Sequence, residues 1–461
     1  MLFISVLMIF LLFANGRVST STAESMTEAT TEPIAVTATP RPAVTPVEVI
    51  IPLVEPTPAP TVTLEPTDEP TSSPVPTPEP SPSAAQTPTP EPTVIREDLS
   101  KKCSYSTTNK YNSSAPFTDN RLKSSIILAD QTSMTYRWKA NVPASMLYLF
   151  CFVMPDAFHV SQWDEAGNVL ISEDVKPERM CLQVPLQEGC RKVTVTCLGR
   201  CKINAFQVFG PGNTYPKQVV WWTEDYQDHC DLMLFSTHFD DEILMMGGVL
   251  PIYAGEQRKD CQVVYMKGTN QIRKLEAIQG LWEMGVRREA IYLSCTSKSL
   301  QKALDNDAAG VFAEDNLQQL VNLLRRYRPL VVVTHDVNGE YGHESHKKTS
   351  ALVRRAVELS ADPAYDPDSV AKYGVWQVQK EYIHLWKENP LELDISTPLK
   401  NMGNRSAYEV AAKAFTYHKT QQGWSITHTH HNFPIGNYGL YFTAVGPDSG
   451  LNDMFENVIA P

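Results

Sequence analysis

The fold is decided by the stretch Asp231-Leu232-Met233-Leu234-Phe235-Ser236-Thr237, which is followed at once by His238-Phe239-Asp240-Asp241-Glu242. The first segment is a short, mostly apolar run, which is typical of a strand buried on both faces of a sheet. The second segment places one imidazole and three carboxylates directly after that strand. Ligands of open α/β sheets bind beyond the carboxyl ends of the strands. The stretch therefore predicts a functional site at the end of a buried strand.

The chain beyond this stretch alternates between strand-like and helix-like segments. Further strands are predicted at residues 261–266, 291–293 and 330–334, and helices at 273–284, 317–324 and 343–360. Such an alternation predicts parallel βαβ units. We therefore expect an α/β fold with a Rossmann-like parallel sheet that helices cover on both faces.

A second polar segment follows the strand predicted at 330–334. It reads His335-Asp336-Val337-Asn338-Gly339-Glu340-Tyr341-Gly342-His343-Glu344-Ser345-His346. The last two histidines are three residues apart and share one face if a helix begins there. A hydrolytic zinc ion needs about three ligands from His, Asp or Glu and one open position. Together the two segments predict such a site, although each alone would also fit a charged helix start or a solvated helix face. No role is assigned to His335 or His384.

Four motifs resemble the N-acetylglucosaminyl-phosphatidylinositol de-N-acetylase family (PIG-L/LmbE-like). Residues 237–242 resemble its AHPDDE motif, and residues 342–346 resemble its GHPDH motif. Arg273-Lys274-Leu275-Glu276-Ala277 resembles R-x-x-E-A, and His418-Lys419-Thr420-Gln421 resembles H-x-S-Q. The resemblance extends from Asp231 to the C-terminus.

The resemblance implies a metal-dependent N-deacetylase that hydrolyses the N-acetyl group of an N-acetylated amino sugar of the N-acetylglucosamine type and releases acetate. It implies one zinc ion as cofactor. The implied metal ligands are His238, Asp241 and His346; the implied catalytic residues are Asp240 (general base), His343 (general acid or electrostatic partner) and Tyr341 (oxyanion stabilisation); the residues implied to bind substrate or support the ligands are Arg273 and His418.

Two departures from the family motifs bear on this interpretation. Phe239 stands where the family has proline, and its ring is expected to offer an apolar wall to a sugar. Ser345 stands where the family has aspartate, which removes a carboxylate that could orient a ligand. The loss of such a supporting group can lower metal affinity or activity by about 10–100-fold.

The N-terminal part predicts export. An apolar run at residues 2–14 fits a signal peptide at 1–23, although an uncleaved anchor stays open because no basic residue precedes the run. Residues 24–95 hold 18 of the 34 prolines and predict a disordered Pro/Thr-rich linker, either a stalk or a plain spacer. The protein is thus expected to be secreted or held at the cell surface.

Residues 96–223 carry short alternating strands and turn signals, which predict an antiparallel β-sandwich before the deacetylase domain at 224–461. This segment resembles discoidin-like, galactose-binding-like modules. It is interpreted either as a module that binds a cell-wall or mucin-type glycan or as a packing module. Trp221-Trp222 could form a sugar platform or an interdomain contact, and residues 427–431, which hold three histidines, are interpreted as a surface or pocket-rim loop.

Composition narrows the partners further. The net charge of -12 and the pI near 5.4 argue against nucleic acid, and no phosphate-binding glycine motif follows the first strand of the α/β domain, which argues against a nucleotide. Of the nine cysteines, Cys197 with Cys201 or Cys181 with Cys190 are candidate disulfides. Two rival functions stay open: a non-catalytic extracellular glycan-binding protein with a relic deacetylase domain, and another metal hydrolase such as a phosphoesterase with two metal ions.

Overall fold

Residues 93–110, 113–119, 121–222, 229–308 and 315–460 are described by the structure, a computed structural model. The predicted signal peptide, and the predicted linker up to residue 92, lie outside the described residues. The predicted boundary between the sandwich and the α/β domain also falls outside them, within residues 223–228.

The N-terminal part of the described chain is a β-sandwich, as predicted. Its elements are β1 (Ser104–Thr107), α1 (Ala115–Thr118), β2 (Ile126–Leu128), β3 (Ser133–Arg137), β4 (Met146–Val153), β5 (Ala157–Trp163), β6 (Val169–Val175), β7 (Cys181–Pro185), β8 (Lys192–Leu198) and β9 (Cys201–Phe209). One antiparallel sheet has the order β1-β3-β8-β5-β6 and the other β2-β9-β4-β7. Alternate residues of β3 and β8 are buried, because period-two patterning turns one face of each sheet into the shared core.

The second part is an α/β fold. Its strands are β10 (Leu232–Ser236), β11 (Cys261–Tyr265), β12 (Ile291–Tyr292), β13 (Val331–Thr334), β14 (Lys380–His384), β15 (Pro390–Glu392), β16 (Pro398–Leu399), β17 (Arg405–Ser406) and β18 (Asn437–Thr443). Its helices are α2 (Asp241–Leu244), α3 (Gln271–Glu283), α4 (Ser297–Ala308), α5 (Asn316–Tyr327), α6 (Glu344–Ser360), α7 (Pro367–Tyr373), α8 (Ala407–Phe415) and α9 (Ile426–Asn432). Residues 427–431 therefore belong to a short helix and not to the loop that we expected.

Strand β10, which lies inside the sheet, is buried on both faces, as its apolar run predicts. Leu232 and Leu234 pack into one core cluster together with residues of α3 and α8. Met233 and Phe235 pack into a second cluster together with residues of α4, α5 and α6. Since successive side chains of a strand point to opposite faces, one strand contributes to both layers.

The expectation of an entirely parallel sheet is wrong. The sheet has the order β12-β11-β10-β13-β14-β18-β15, and β18 runs antiparallel to both β14 and β15. The first five strands pair in parallel, as the βαβ alternation predicts. The connection from β14 to β18 runs through the short strands β15 to β17 and the helices α8 and α9, and the last large strand then enters from the opposite end. The sheet is therefore mixed.

The mixed edge of the sheet buries Glu381 of β14. Its side chain is 1% exposed, and its Oε1 has no hydrogen-bond partner among the described residues. Burial raises the pKa of this carboxyl from its ordinary 4.5 to about 8, against the opposing charge of Arg354. The folded state thus holds a proton that the unfolded chain releases between about pH 4.5 and 8.

The buried Glu381 carboxyl predicts a pH-dependent loss of stability. Its contribution is fully present below pH 4.5 and falls as the pH rises towards 8, at roughly 1.4 kcal/mol for each pH unit. Glu381→Gln is expected to remove this pH dependence. In urea unfolding, the free energy of unfolding of the variant relative to that of the wild type should therefore be higher at pH 8 than at pH 5. Glu392→Gln, at an exposed carboxylate of β15, is the control. A constant difference between wild type and Glu381→Gln would contradict the assignment.

The β-sandwich packs against α3. Trp222 is buried with Leu275 and Ile278 of that helix, and its ring centroid lies 6.1 Å from that of Trp282. Lys123 of the sandwich donates a 2.9 Å hydrogen bond to the buried Glu276 of α3. The packing interpretation of Trp222 is therefore confirmed.

Two of the nine cysteines, Cys197 and Cys201, are in contact. The Sγ atoms of Cys197 and Cys201 lie 3.1 Å apart across the β8–β9 turn. We expect an oxidant such as dioxygen to take two electrons and two protons from this pair and leave a disulfide. Peptide mapping without reduction, on protein prepared in air, should find the cross-link. Alkylation of both residues in unreduced, denatured protein would contradict it.

No helix in the described ranges combines the length and the apolar character that a membrane crossing requires.

Candidate active site

The turn between β10 and α2 holds the first polar segment. Asp240 has a φ of 125°, a conformation that costs a non-glycine residue about 1–3 kcal/mol. The Oε2 of Glu242 accepts a 2.9 Å hydrogen bond from the Asp240 N–H, and Ser236 donates to the carbonyl oxygen of His238 at 2.8 Å. These bonds hold the strained turn, which lets Asp240 and Asp241 point to different partners.

The second polar segment reaches the same place because β10 and β13 are parallel neighbours. Their carboxyl ends meet at one edge of the sheet, so the residues that follow each strand converge. His343 is the residue directly before α6, and His346 lies in the first turn of this helix. The structure therefore brings the two segments together at this edge of the sheet.

Three donor atoms from the two segments form a compact triangle. The Nδ1 of His238 is 3.0 Å from Oδ2 of Asp241, which is 3.2 Å from Nε2 of His346. That Nε2 lies 3.3 Å from Nδ1 of His238. Ligands at about 2.0–2.1 Å from a tetrahedral zinc ion are separated by about 3.3–3.4 Å. The donor set and its spacing therefore fit one zinc ion with a fourth position open.

His335 is an alternative neighbour of this triangle, since its ring nitrogens, Asp241 and His346 could also surround a metal. Both of its nitrogens, however, have other partners. Nε2 accepts a 3.0 Å hydrogen bond from the Thr237 N–H, and Nδ1 is 3.1 Å from Oε1 of Glu340. These contacts match a neutral ring that donates to the carboxylate, and burial lowers the pKa of His335. We therefore place His335 behind the three donors of the triangle and not among them.

Glu340 is a central site residue to which the sequence analysis gave no role. Its buried carboxylate lies 2.6 Å from Nδ1 of His346, 3.1 Å from Nδ1 of His335 and 3.1 Å from Nδ1 of His384. A carboxylate on the far nitrogen of a ligating histidine fixes the ring and increases its basicity. The only sequence signal for this residue is its position within the second polar segment.

His346 and Asp241, two members of the triangle, shift each other's pKa in opposite directions. Burial alone would lower the pKa of His346, but the charges and hydrogen bonds of Asp241 and Glu340 outweigh it and raise the pKa to about 10. Burial would raise the pKa of Asp241, but His346 and His238 hold it well below its usual range. Asp241 is therefore the anionic centre of the group.

Asp240 lies beside this group and pairs with Arg273. Oδ1 of Asp240 is 2.6 Å from Nη2 of Arg273, which also donates to the carbonyl oxygen of Phe239. Burial and the charge of Asp241 raise the pKa of Asp240 to about 9, while Arg273 opposes the rise. A bound dication would oppose it further, because a positive charge favours the ionised carboxyl. Arg273 is thus placed to orient the predicted base.

His418 does not line the site. Its exposed fraction is 0%, and its Nε2 lies 3.5 Å from Oε1 of the equally buried Glu242. Burial lowers the pKa of His418 to about 4. A substrate has no access to this ring, so the expected substrate contact is wrong for this conformation. The alternative role, support of the ligands, stays a prediction; the contact with Glu242 places His418 against the turn that carries Asp241.

His343 and Tyr341 lie on the open side of the triangle. The ring centroid of His343 is 5.0 Å from that of His238 and 4.4 Å from that of His346. Its pKa is lowered to about 4, first by burial and then by the two neighbouring histidines. The ring of Tyr341 is 5.5 Å from that of His343 and is 44% exposed, which leaves it open to a ligand.

The two departures from the family motifs have different outcomes. Phe239 is 1% exposed and packs on Tyr265 at 4.6 Å, so it is a core residue and not the expected sugar wall. Ser345 accepts from Lys267 at 2.9 Å. The carboxylate on His346 is instead supplied by Glu340.

Comparison with known proteins identifies the domain. Residues 233–357 match the family described as PIG-L, GlcNAc-PI de-N-acetylase. These residues form a PIG-L domain. The match includes both polar segments and the R-x-x-E-A helix, while His418 lies beyond it.

Individual relatives agree with this family. A 1D-myo-inositol 2-acetamido-2-deoxy-alpha-D-glucopyranoside deacetylase 1 of Catenulispora acidiphila is 29% identical over 204 residues, which cover 38% of this chain and 62% of the relative. The corresponding deacetylase of Geodermatophilus obscurus is 44% identical over 69 residues, covering 15% and 22% of the two chains. The chain thus spans less than two thirds of either relative. The N,N'-diacetylchitobiose deacetylase of Pyrococcus horikoshii matches at 16% identity over 42% of this chain and 71% of its own, with a TM-score of 0.32, too low to support an argument.

Proposed function

We propose that the PIG-L domain makes this protein a zinc-dependent N-deacetylase that removes the acetyl group from an N-acetylglucosamine-type sugar. The triangle of His238, Asp241 and His346 carries the proposal, because three donors with tetrahedral spacing leave one side open next to a carboxylate. A zinc ion there would supply Lewis-acid polarisation of the acetyl carbonyl and a more acidic water.

The protein side chains would divide the remaining work. Asp240, held by Arg273, would take a proton from the attacking water. His343 would support the departing amine as proton donor or electrostatic partner, and Tyr341 would stabilise the oxyanion of the tetrahedral intermediate. The products would be acetate and a free amino sugar.

The two relatives described above are named for their action on an acetamido sugar that is linked to inositol. We further propose an extracellular glycan as the substrate, a secreted or cell-surface location, and a glycan-binding role for the β-sandwich. The apolar N-terminal run and the proline-rich segment support this location. Retention of the full chain on beads that carry cell-wall or mucin-type glycans tests the binding role. If neither kind of bead retains the protein, the binding role is contradicted.

The test of activity uses the full chain loaded with zinc. N-acetylglucosamine, N,N'-diacetylchitobiose and N-acetylglucosaminyl-inositol are offered, and released acetate is measured. We expect release from at least one of them, one bound zinc per chain by elemental analysis, and loss of activity when a chelator removes the metal. One bound zinc without any acetate release would contradict the proposal and favour a relic domain. Two bound ions with phosphoester hydrolysis would favour the phosphoesterase alternative.

A further inference from the structure

Two exposed aromatic side chains meet at the mouth of the site. Trp424 is 47% exposed and Tyr341 is 44% exposed, and their ring centroids are 5.7 Å apart. Tyr341 in turn lies 5.6 Å from the ring of His346. The large exposed hydrophobic residues of the described ranges include one other aromatic, Tyr441 on β18. Exposed aromatic surface beside a catalytic group is typical of a ligand contact.

Trp424 is held on an ordered turn. Its backbone N–H donates to the carbonyl oxygen of Gln421 at 2.9 Å. The side chain of Gln422 donates to the carbonyl oxygens of Phe415 and His418, both at 2.9 Å. The bonds from Gln422 attach the turn to the end of α8 and to the buried His418. These bonds order the backbone that carries Trp424, so a ligand that packs on the ring does not have to order this turn first.

We propose that Trp424 and Tyr341 form a subsite for a second sugar ring, so that the substrate is an oligosaccharide and not a single N-acetylglucosamine. The inference rests on the proposed function, since the acetylated ring is placed at the triangle. The rings of Tyr341 and Trp424 are direct neighbours, so together they offer one aromatic surface beside the triangle. The apolar C–H face of a pyranose packs on aromatic rings, which offer a large contact area.

The test compares zinc-loaded wild type, Trp424→Ala and Trp424→Phe on N-acetylglucosamine and N,N'-diacetylchitobiose. In Trp424→Ala, the ratio of kcat/KM for the disaccharide to that for the monosaccharide is expected to fall about tenfold, mostly through KM. Trp424→Phe keeps a ring and should retain most of this preference. Tyr441→Ala removes an exposed aromatic elsewhere and serves as the control. An unchanged ratio, or an equal loss on both sugars, would overturn the subsite.

A binding measurement separates the subsite from the activity. Calorimetric titration of the disaccharide into Asp240→Asn, with and without Trp424→Ala, reports binding without hydrolysis. Weaker binding in the double variant supports the subsite even if the wild type releases no acetate, a result that would contradict only the proposed function. Acetate release with equal binding by the two variants would contradict only the subsite. Absence of binding to Asp240→Asn would overturn the subsite.

Discussion

Replacement of Asp240 by asparagine is expected to reduce acetate release by about 10²–10⁴-fold, the usual contribution of a positioned general base. The amide keeps the shape of the side chain but cannot accept a proton from water. The ion pair with Arg273, whose Nη2 lies 2.6 Å from the carboxylate, is lost as well. Since Asp240 is not part of the donor triangle, zinc should still bind at one equivalent. The loss should therefore appear in kcat, with the metal content unchanged.

The matched control is Asp305→Asn, at an exposed aspartate on α4. It removes a carboxylate of the same size away from the donor triangle and should keep wild-type turnover. If Asp240→Asn retained full activity with zinc bound, Asp240 would not be the base. If it lost its zinc together with its activity, Asp240 would belong to the metal site and not to the proton transfer.

The second large effect is expected at Glu340. Glu340→Gln removes the carboxylate charge that is hydrogen-bonded to His346, His335 and His384. We expect zinc affinity to fall by about 10–100-fold, the usual loss when a histidine ligand loses its supporting carboxylate. Breaking a buried charged network should also destabilise the zinc-free protein by about 3–5 kcal/mol. Competition with a metal chelator and urea unfolding measure the two effects.

Glu344→Gln is the control for this variant. Glu344 lies four residues further along the chain, pairs with Lys347 and has a side chain that is 69% exposed. It should change neither zinc affinity nor stability by a measurable amount, because exposed ion pairs contribute little. A Glu340→Gln protein that binds zinc as tightly as the wild type would show that the histidine rings are held by packing alone.

The sandwich is joined to the site by a short chain of contacts. Lys123 contacts Glu276, whose carboxylate also accepts from the hydroxyl of Thr420 at 2.6 Å. Thr420 lies in the turn that follows the buried His418. The segment from His418 to Gln421 thus connects Glu276 of α3 with His418, which contacts Glu242 of α2. The same helix receives the packed Trp222, so the sandwich and the PIG-L domain share a buried surface.

The sequence alone determined the strands and helices that carry the site and the types of side chain that follow the strands. The apolar run before His238 predicts a fully buried strand, and the alternation after it predicts the parallel half of the sheet. Polar residues follow two such strands, and parallel strands bring their carboxyl ends to one edge. Periodicity and local spacing carry this information, because each element depends mainly on residues close to it in the chain.

Tertiary structure alone decided which atoms meet. Glu340 contacts histidines that follow β13, begin α6 and end β14, and no local spacing relates these three positions. The burial of His418, the direction of β18 and the exposure of Trp424 likewise depend on how distant segments pack. A motif specifies which donors are present, whereas the paths of separate elements across the sheet decide which donor faces the metal and which supports it from behind.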